Sequence, residues 1–286
     1  MKKTINGFFE VEASYEDARV VLFGAGMDAT TSYRPGTRFA CAHMRQEFYG
    51  LETYSPYQDK DLQEYAYFDS GDLDLSFGNV EKNLALIEEC CDILLQDHKI
   101  PCMIGGEHLV TLGSIRSIIK TYPNVHILHF DAHCDLRSDY LDEPLSHACV
   151  MRRVYDIIPS GHLHQFGIRS GTKEEFQFAK EHCNFHPFHV DDVKEVVSNI
   201  KDAPVYVSID LDVLDPSIFS GTGTPEAGGV RFTQLLDALL TLQQTKMVGF
   251  DICELSPSYD TSGVSTAVAN KILREMLLLT GGQENE

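Results

Sequence analysis

The residues able to do chemistry concentrate first in one pentapeptide. Asp131-Ala132-His133-Cys134-Asp135 sets three metal-capable side chains at i, i+2 and i+4. In extended chain these side chains share one face and can converge on one point. Taken alone, the segment reads equally well as a solvated acidic turn with a locally bonded histidine. A second segment, Asp210-Leu211-Asp212 before Asp215-Pro216, repeats two carboxylates at i and i+2. Burying like charges so close together is costly without a cation between them. Gly105-Gly106-Glu107-His108 adds another histidine. Two His and four Asp form an oxygen-rich set that suits Mn²⁺, suits Zn²⁺ or Fe²⁺ less well, and holds too much nitrogen for calcium. The count exceeds one ordinary site. It suits two ions roughly 3.5–4 Å apart that share carboxylate oxygens and lower the pKa of a common water, which is the chemistry of metal-assisted hydrolysis.

Two further side chains stand beside that set. Glu254, in Asp251-Ile252-Cys253-Glu254-Leu255-Ser256-Pro257, could pair bidentately with a planar guanidinium, or be a surface acid before a proline turn. His147, in Ser146-His147-Ala148, could carry a proton near neutral pH, or be a hydrogen-bonded structural histidine.

The elements that must position these groups alternate between strand and helix patterns. That alternation predicts βαβ units and a mostly parallel sheet. Apolar runs at 18–23, 100–104, 125–130, 205–209 and 247–252 read as strands, and the chemistry follows the ends of four of them. Ligands gather outside the carboxyl ends of strands in such sheets. Asn79 reads as the N-cap of a helix carrying Val80, Leu84, Ile87, Cys91 and Leu94 on one face. A second helix runs through Leu109, Leu112, Ile115 and Ile119 and stops before Pro123; a last one starts near Ser265. Residues 55–76 are polar and tyrosine-rich and read as a long surface excursion. Residues 281–286 read as a frayed polar tail. With no repeat and no Pro/Ser-rich linker, residues 1–286 are expected to form one domain.

Composition excludes several classes. The 286 residues carry 43 Asp+Glu and 23 Lys+Arg, a net charge of −20, which argues against a protein that grips phosphate backbones. Most of that acidity is expected to serve solubility. No apolar run reaches the length of a membrane span, and Met1-Lys2-Lys3-Thr4 is followed by no signal-like apolar stretch. The eight cysteines show no CxxC pair and are expected to be reduced thiols in a cytoplasmic enzyme. Gly24-Ala25-Gly26-Met27-Asp28-Ala29 fits a dinucleotide-binding pattern only loosely, because TTSYRPG at 30–36 breaks the helix that motif requires. Asp69-Ser70-Gly71-Asp72 lacks the ligand spacing of a calcium loop.

GGEH (105–108), HFDAHCD (129–135), SIDLDVLDP (208–216), GTGTPEAGG (221–229) and DICELSP (251–257), with TSYRPGTRF (31–39) and FGIRSG (166–171), resemble the ureohydrolases, the arginase and agmatinase superfamily. The motifs run in family order from about 20 to 275. The resemblance implies a three-layer α/β/α fold with a central eight-stranded, mostly parallel sheet and two Mn²⁺ per chain. It implies His108, Asp131, His133, Asp135, Asp210 and Asp212 as metal ligands. It also implies His147, Glu254 and Asp135 as catalytic side chains, His147 shuttling protons and Glu254 binding the guanidinium. The implied reaction is attack of a metal-bridging hydroxide on the guanidinium of agmatine, giving putrescine and urea. Guanidinobutyrate, aminopropylagmatine, arginine and formiminoglutamate are the alternative substrates. Homotrimers or homohexamers are implied, with no nucleic-acid or membrane partner. Two positions depart from the family pattern or bear on the substrate. Arg137 stands where arginases carry Asn; it could meet a carboxylated substrate, or pair with Asp139 or face solvent. Cys134 stands where agmatinases often have Thr, and could favour softer metals or oxidise.

Overall fold

The computed structural model describes Phe8, residues 13–200 and residues 202–282. Met1–Thr4 and most of the expected polar tail, from residue 283 on, lie outside the described residues. The described strands are β1 (Val20–Ala25), β2 (Tyr54–Ser55), β3 (Lys60–Asp61), β4 (Tyr67–Asp72), β5 (Ile100–Gly105), β6 (His126–Phe130), β7 (Leu163–Phe166), β8 (Asn184–His186), β9 (Pro204–Asp210) and β10 (Lys246–Cys253). The helices are α1 (Ala40–Phe48), α2 (Val80–Gln96), α3 (Val110–Thr121), α4 (Val150–Tyr155), α5 (Lys173–His182), α6 (Val193–Ile200), α7 (Phe232–Leu240) and α8 (Val264–Gly281).

Eight strands form one sheet in the order β4-β1-β5-β10-β9-β6-β7-β8, and every pairing between them is parallel. Alternation along the strands feeds two cores. Val20 and Leu22 of β1 pack on one side, Val21 and Phe23 on the other. Val205, Val207 and Ile209 of β9 join the first core and Tyr206 the second. Helices α1, α6, α7 and α8 cover the first face; α2, α3, α4 and α5 cover the second. This is the three-layer α/β/α fold, and burial on both faces explains why the strands read as unbroken apolar runs.

Local signals set the helix ends. Asn79 Oδ1 accepts from the Lys82 N–H at 3.0 Å, capping α2 as expected. Thr172 and Glu175 close a reciprocal capping box on α5. No helix among the described residues is long and apolar enough to cross a membrane. All eight cysteines are free. The residues after β1 form no helix before the short turn at 37–39, which removes the dinucleotide reading.

The expected surface excursion at 55–76 is only partly that. Tyr67–Asp72 pairs with β1 as the edge strand of the sheet, and its Asp69 and Asp72 receive the Arg45 guanidinium. Ser55 and Gln58 donate to the buried Glu275 carboxylate of α8 at 2.7 and 2.8 Å, fastening the β2–β3 hairpin to that helix. An edge strand has one unpaired side, so its sequence carries polar residues that mimic a loop.

The four strands β5, β10, β9 and β6 are neighbours at the centre of the sheet. Their carboxyl ends lead directly into His108, Glu254, Asp210–Asp212 and Asp131–Asp135. Segments far apart in sequence therefore open onto one edge.

Candidate metal centre and pocket

Six side chains meet at that edge in two overlapping groups. In the first, His108 Nδ1 lies 3.1 Å from Asp131 Oδ2, 3.3 Å from Asp135 Oδ2 and 3.4 Å from Asp210 Oδ2. In the second, His133 Nδ1 lies 3.4 Å from Asp131 Oδ1 and 3.0 Å from Asp212 Oδ2. Asp131 thus gives one oxygen to each group. All six residues named from sequence are brought together.

The hydrogen bonds around the groups hold them in ligand form. Ser208 Oγ donates to Asp251 Oδ1 at 2.8 Å, so toward His108 it acts as acceptor, 2.9 Å from Nε2. The network therefore assigns the His108 proton to Nε2 and leaves the Nδ1 lone pair facing three carboxylates. That Nδ1 is buried with no hydrogen-bond partner in the structure. Tyr206 adds a 2.7 Å bond to Asp251 Oδ2. Gln165 donates to His129 Nδ1 at 3.1 Å, so His129 Nε2 donates to Asp131 Oδ2 at 2.8 Å. Asp131 Oδ1 accepts from the His133 N–H, Asp210 Oδ1 from the Asp212 N–H and Asp212 Oδ1 from the Ala132 N–H. A lone pair aimed at clustered carboxylates is repulsive unless a cation lies between them. The donor set therefore fits two divalent cations sharing Asp131.

The electrostatics of the protein atoms carry the same message. Burial opposes ionisation of Asp131, yet the neighbouring His108, His129 and His133 hold it well below the usual carboxylate range. Burial and then the charge of Asp131 push Asp135 up to about 7. Burial and Asp212 push Asp210 well up. Although burial disfavours charge on His108 and His133, the neighbouring aspartates raise both. The carboxylate field that attracts protons here would attract metal ions equally.

A cavity of about 300 Å³ opens above this floor, walled by Ser32, Arg137, Tyr140, His147, Glu175 and Glu254. Glu254 is buried, and its Oε1 accepts from the His108 N–H at 2.8 Å. Burial, together with Asp212 and Glu107, pushes it up to about 8, an environment that favours a cation alongside. Both Glu254 (φ 65°) and Asp135 (φ 52°) hold left-handed backbone conformations, a strain typical of functional positions. The His147 N–H donates to Thr30 Oγ1 in the loop after β1 at 3.0 Å, and burial pushes the ring pKa down to about 4.

Arg137 does not pair with Asp139, and its side chain is half-buried at the pocket wall. Its Nε lies 3.4 Å from Glu175 Oε2, and its Cζ is 4.7 Å from the Tyr140 ring centroid. Cys134 packs in the core on the α2–α5 side, and burial raises its thiol, which opposes the reactive thiolate.

Sequence reading missed His129, Ser208 and Asp251 as supports of the candidate ligands, and Ser32, Tyr140 and Glu175 as pocket walls. The first three had a signal: polar residues inside otherwise apolar buried strands demand partners. The walls had none, because they come from two loops and the first turn of α5, far apart in sequence.

The model of the arginase family matches residues 18–279. The chain is 46% identical over 275 residues to the agmatinase of Bacillus cereus, covering 95% of each chain. It is 39% identical over 248 residues to the N(1)-aminopropylagmatine ureohydrolase of Thermococcus kodakarensis, covering 84% of each. Its fold matches a crystal structure of a Clostridium difficile protein, provisionally described as an agmatinase, with a TM-score of 0.92. That match has 47% identity and covers 94% of this chain and 99% of the other.

Proposed function

This chain belongs to the arginase family and is a ureohydrolase, and from that premise we propose that it hydrolyses agmatine to putrescine and urea. The observation that carries the reading is Asp131 dividing its two oxygens between the His108 and His133 groups, beside the buried acid Glu254. His108, Asp131, Asp135 and Asp210 would hold one ion; His133, Asp131 and Asp212 would hold the second. The proposed ions are Mn²⁺. When bound they supply Lewis acidity and a water of lowered pKa.

The side chains supply the rest. Glu254 binds the guanidinium through paired N–H···O bonds and fixes its carbon over the metal floor. Asp135 holds its ion and adds negative charge where the substrate cation sits. His147, neutral near pH 7, takes up a proton and delivers it to the amine nitrogen as the C–N bond breaks. Urea and the amine then leave the open side of the pocket.

The tail of the substrate follows from Arg137. Its Nε faces Glu175 and its guanidinium lies against Tyr140, so its charge is partly balanced by the pocket wall. That favours agmatine over arginine, guanidinobutyrate and formiminoglutamate. The name of the Thermococcus kodakarensis relative supports aminopropylagmatine as a second reading, with the same guanidinium end and a longer cationic tail. The proposal includes residues 1–286 as one domain, a cytoplasmic homotrimer or homohexamer, and a role in supplying putrescine.

The test is urea release from agmatine, aminopropylagmatine, arginine and guanidinobutyrate, with formamide release from formiminoglutamate, by manganese-loaded protein. The highest kcat/KM is expected for agmatine. A higher value for a carboxylated substrate would overturn the assignment.

A further inference from the structure

The peptide group between Asp135 and Leu136 is held from two sides. Its carbonyl, on Asp135, accepts from the Arg152 N–H of α4 at 3.0 Å. Its N–H, on Leu136, donates to Glu175 Oε1 of α5 at 3.1 Å. Asp135 is a ligand candidate with a left-handed backbone, φ 52°. A residue with a Cβ leaves that region unless its surroundings hold it there. The orientation of this peptide sets ψ of Asp135. Two helices together therefore keep the Asp135 carboxylate 3.3 Å from His108 Nδ1.

The other oxygen of Glu175 faces the pocket wall. Oε2 accepts from the Thr172 N–H at 2.8 Å and lies 3.4 Å from Arg137 Nε, whose guanidinium rests against the Tyr140 ring. Glu175 is only 5% exposed, and both of its oxygens are engaged. A capping box needs one carboxylate oxygen, on the N-cap N–H. The second is surplus to the helix and serves the ligand loop. Burying a carboxylate is unfavourable unless its oxygens find donors, and helix capping alone does not require that burial.

We propose that Glu175 is a positioning residue that ties the metal floor to the substrate wall: Oε1 holds Asp135 in ligand geometry, and Oε2 balances Arg137 so that the wall admits a cationic tail. The inference rests on the metal-site and agmatine readings above. Without Oε1 the Asp135 backbone is free to leave its left-handed conformation, and the ion of the His108 group is held less tightly. Without the carboxylate charge Arg137 stands unbalanced in the pocket, repelling an ammonium tail and attracting a carboxylate.

The experiment compares wild type, Glu175→Gln, Glu175→Asp and Thr172→Ala. It reads Tm, manganese affinity by competition against a chelator, and urea release from agmatine and guanidinobutyrate at saturating manganese. The amide of Glu175→Gln has one acceptor oxygen. The Thr172 N–H and the Arg137 cation draw that oxygen to their side, and the NH2 is left facing the Leu136 N–H. Thr172→Ala removes the hydroxyl that accepts from the Glu175 N–H at 3.2 Å and leaves the carboxylate in place. Both variants should lower Tm, as lost caps do. Glu175→Gln alone should weaken one of the two manganese ions by about tenfold to a hundredfold. At saturating manganese its kcat for agmatine should recover toward wild type while KM stays raised. Its ratio of kcat/KM for guanidinobutyrate over agmatine should rise at least about tenfold. Glu175→Asp keeps the charge but is one methylene shorter; it should show the metal defect with a smaller change in ratio, and it carries the test if Glu175→Gln does not fold. Manganese affinity unchanged in Glu175→Gln, or lowered equally in Thr172→Ala, would overturn the hold on Asp135. An unchanged substrate ratio would overturn the role toward Arg137. A wild type that binds no manganese, or releases no urea from any guanidino substrate, would instead overturn the proposed function.

Discussion

The Ser208 hydroxyl stands 2.9 Å from His108 Nε2 and by that contact turns the other ring nitrogen toward the carboxylates. The serine proton is taken by Asp251, which is itself fully buried. A carboxylate two hydrogen bonds removed from a candidate ligand thus decides which imidazole nitrogen is free. Ser208→Ala should leave the fold intact and weaken metal binding by about tenfold to a hundredfold, the usual cost of losing an outer-shell partner. Competition against a chelator measures it, and unchanged affinity would show that His108 needs no such support.

Asp131 and Asp212 should differ in what they lose. Asp131 serves both groups, whereas Asp212 serves only the one around His133. After manganese loading, Asp131→Asn should retain close to no tightly held metal and Asp212→Asn roughly one ion per chain, against roughly two for the wild type. Elemental analysis after gel filtration reads the stoichiometry directly. Equal loss in the two variants would contradict the shared role of Asp131.

Glu254→Gln tests the guanidinium clamp. The amide is isosteric and can still accept from the His108 N–H, so the metal floor should persist. Losing a charge-assisted pair should reduce kcat/KM for every guanidino substrate by at least about a hundredfold. Retained metal with kcat/KM near wild type would remove Glu254 from the substrate contact.

How much of this was legible in sequence depends on the range of the interaction. Five of the six ligand candidates were legible because their spacing at i and i+2 beyond strand ends is local, His108 because it too follows a strand end, and the three strands that carry them are apolar runs. β7, with Leu163 and Phe166 around His164 and Gln165, has no such run and was missed. β8 has only three partly buried residues. Glu175 was not among the partners weighed for Arg137, because Asp139 is near in sequence while Glu175 is near only once α5 has folded back on the pocket. Thr30 and Glu107 are separated by 77 residues, and only the pairing of β1 with β5 brings them together.

A last prediction concerns stability at the opposite end of β6 and β7. His164 is buried, with Nε2 3.0 Å from His126 Nδ1, and the His126 ring stacks on His162 at 3.9 Å. Only one proton fits between the paired nitrogens. Burial, then the other histidines, push His164 down to about 3 and His126 down to about 4. In the unfolded chain both titrate near 6.5. Between about pH 6.5 and pH 4 the unfolded chain therefore binds more protons than the native one, and stability falls as pH is lowered through that window. Above about pH 7 the pair contributes no slope. His164→Gln removes one titrating group while keeping an amide able to bond His126. Urea denaturation midpoints at pH 7.0, 5.5 and 4.5, taken on both proteins, cancel the acid response of the metal-site carboxylates that the two share. The variant should lose less stability than wild type between pH 7.0 and 4.5; parallel curves would mean that His164 is protonated in the native state as readily as in the unfolded one.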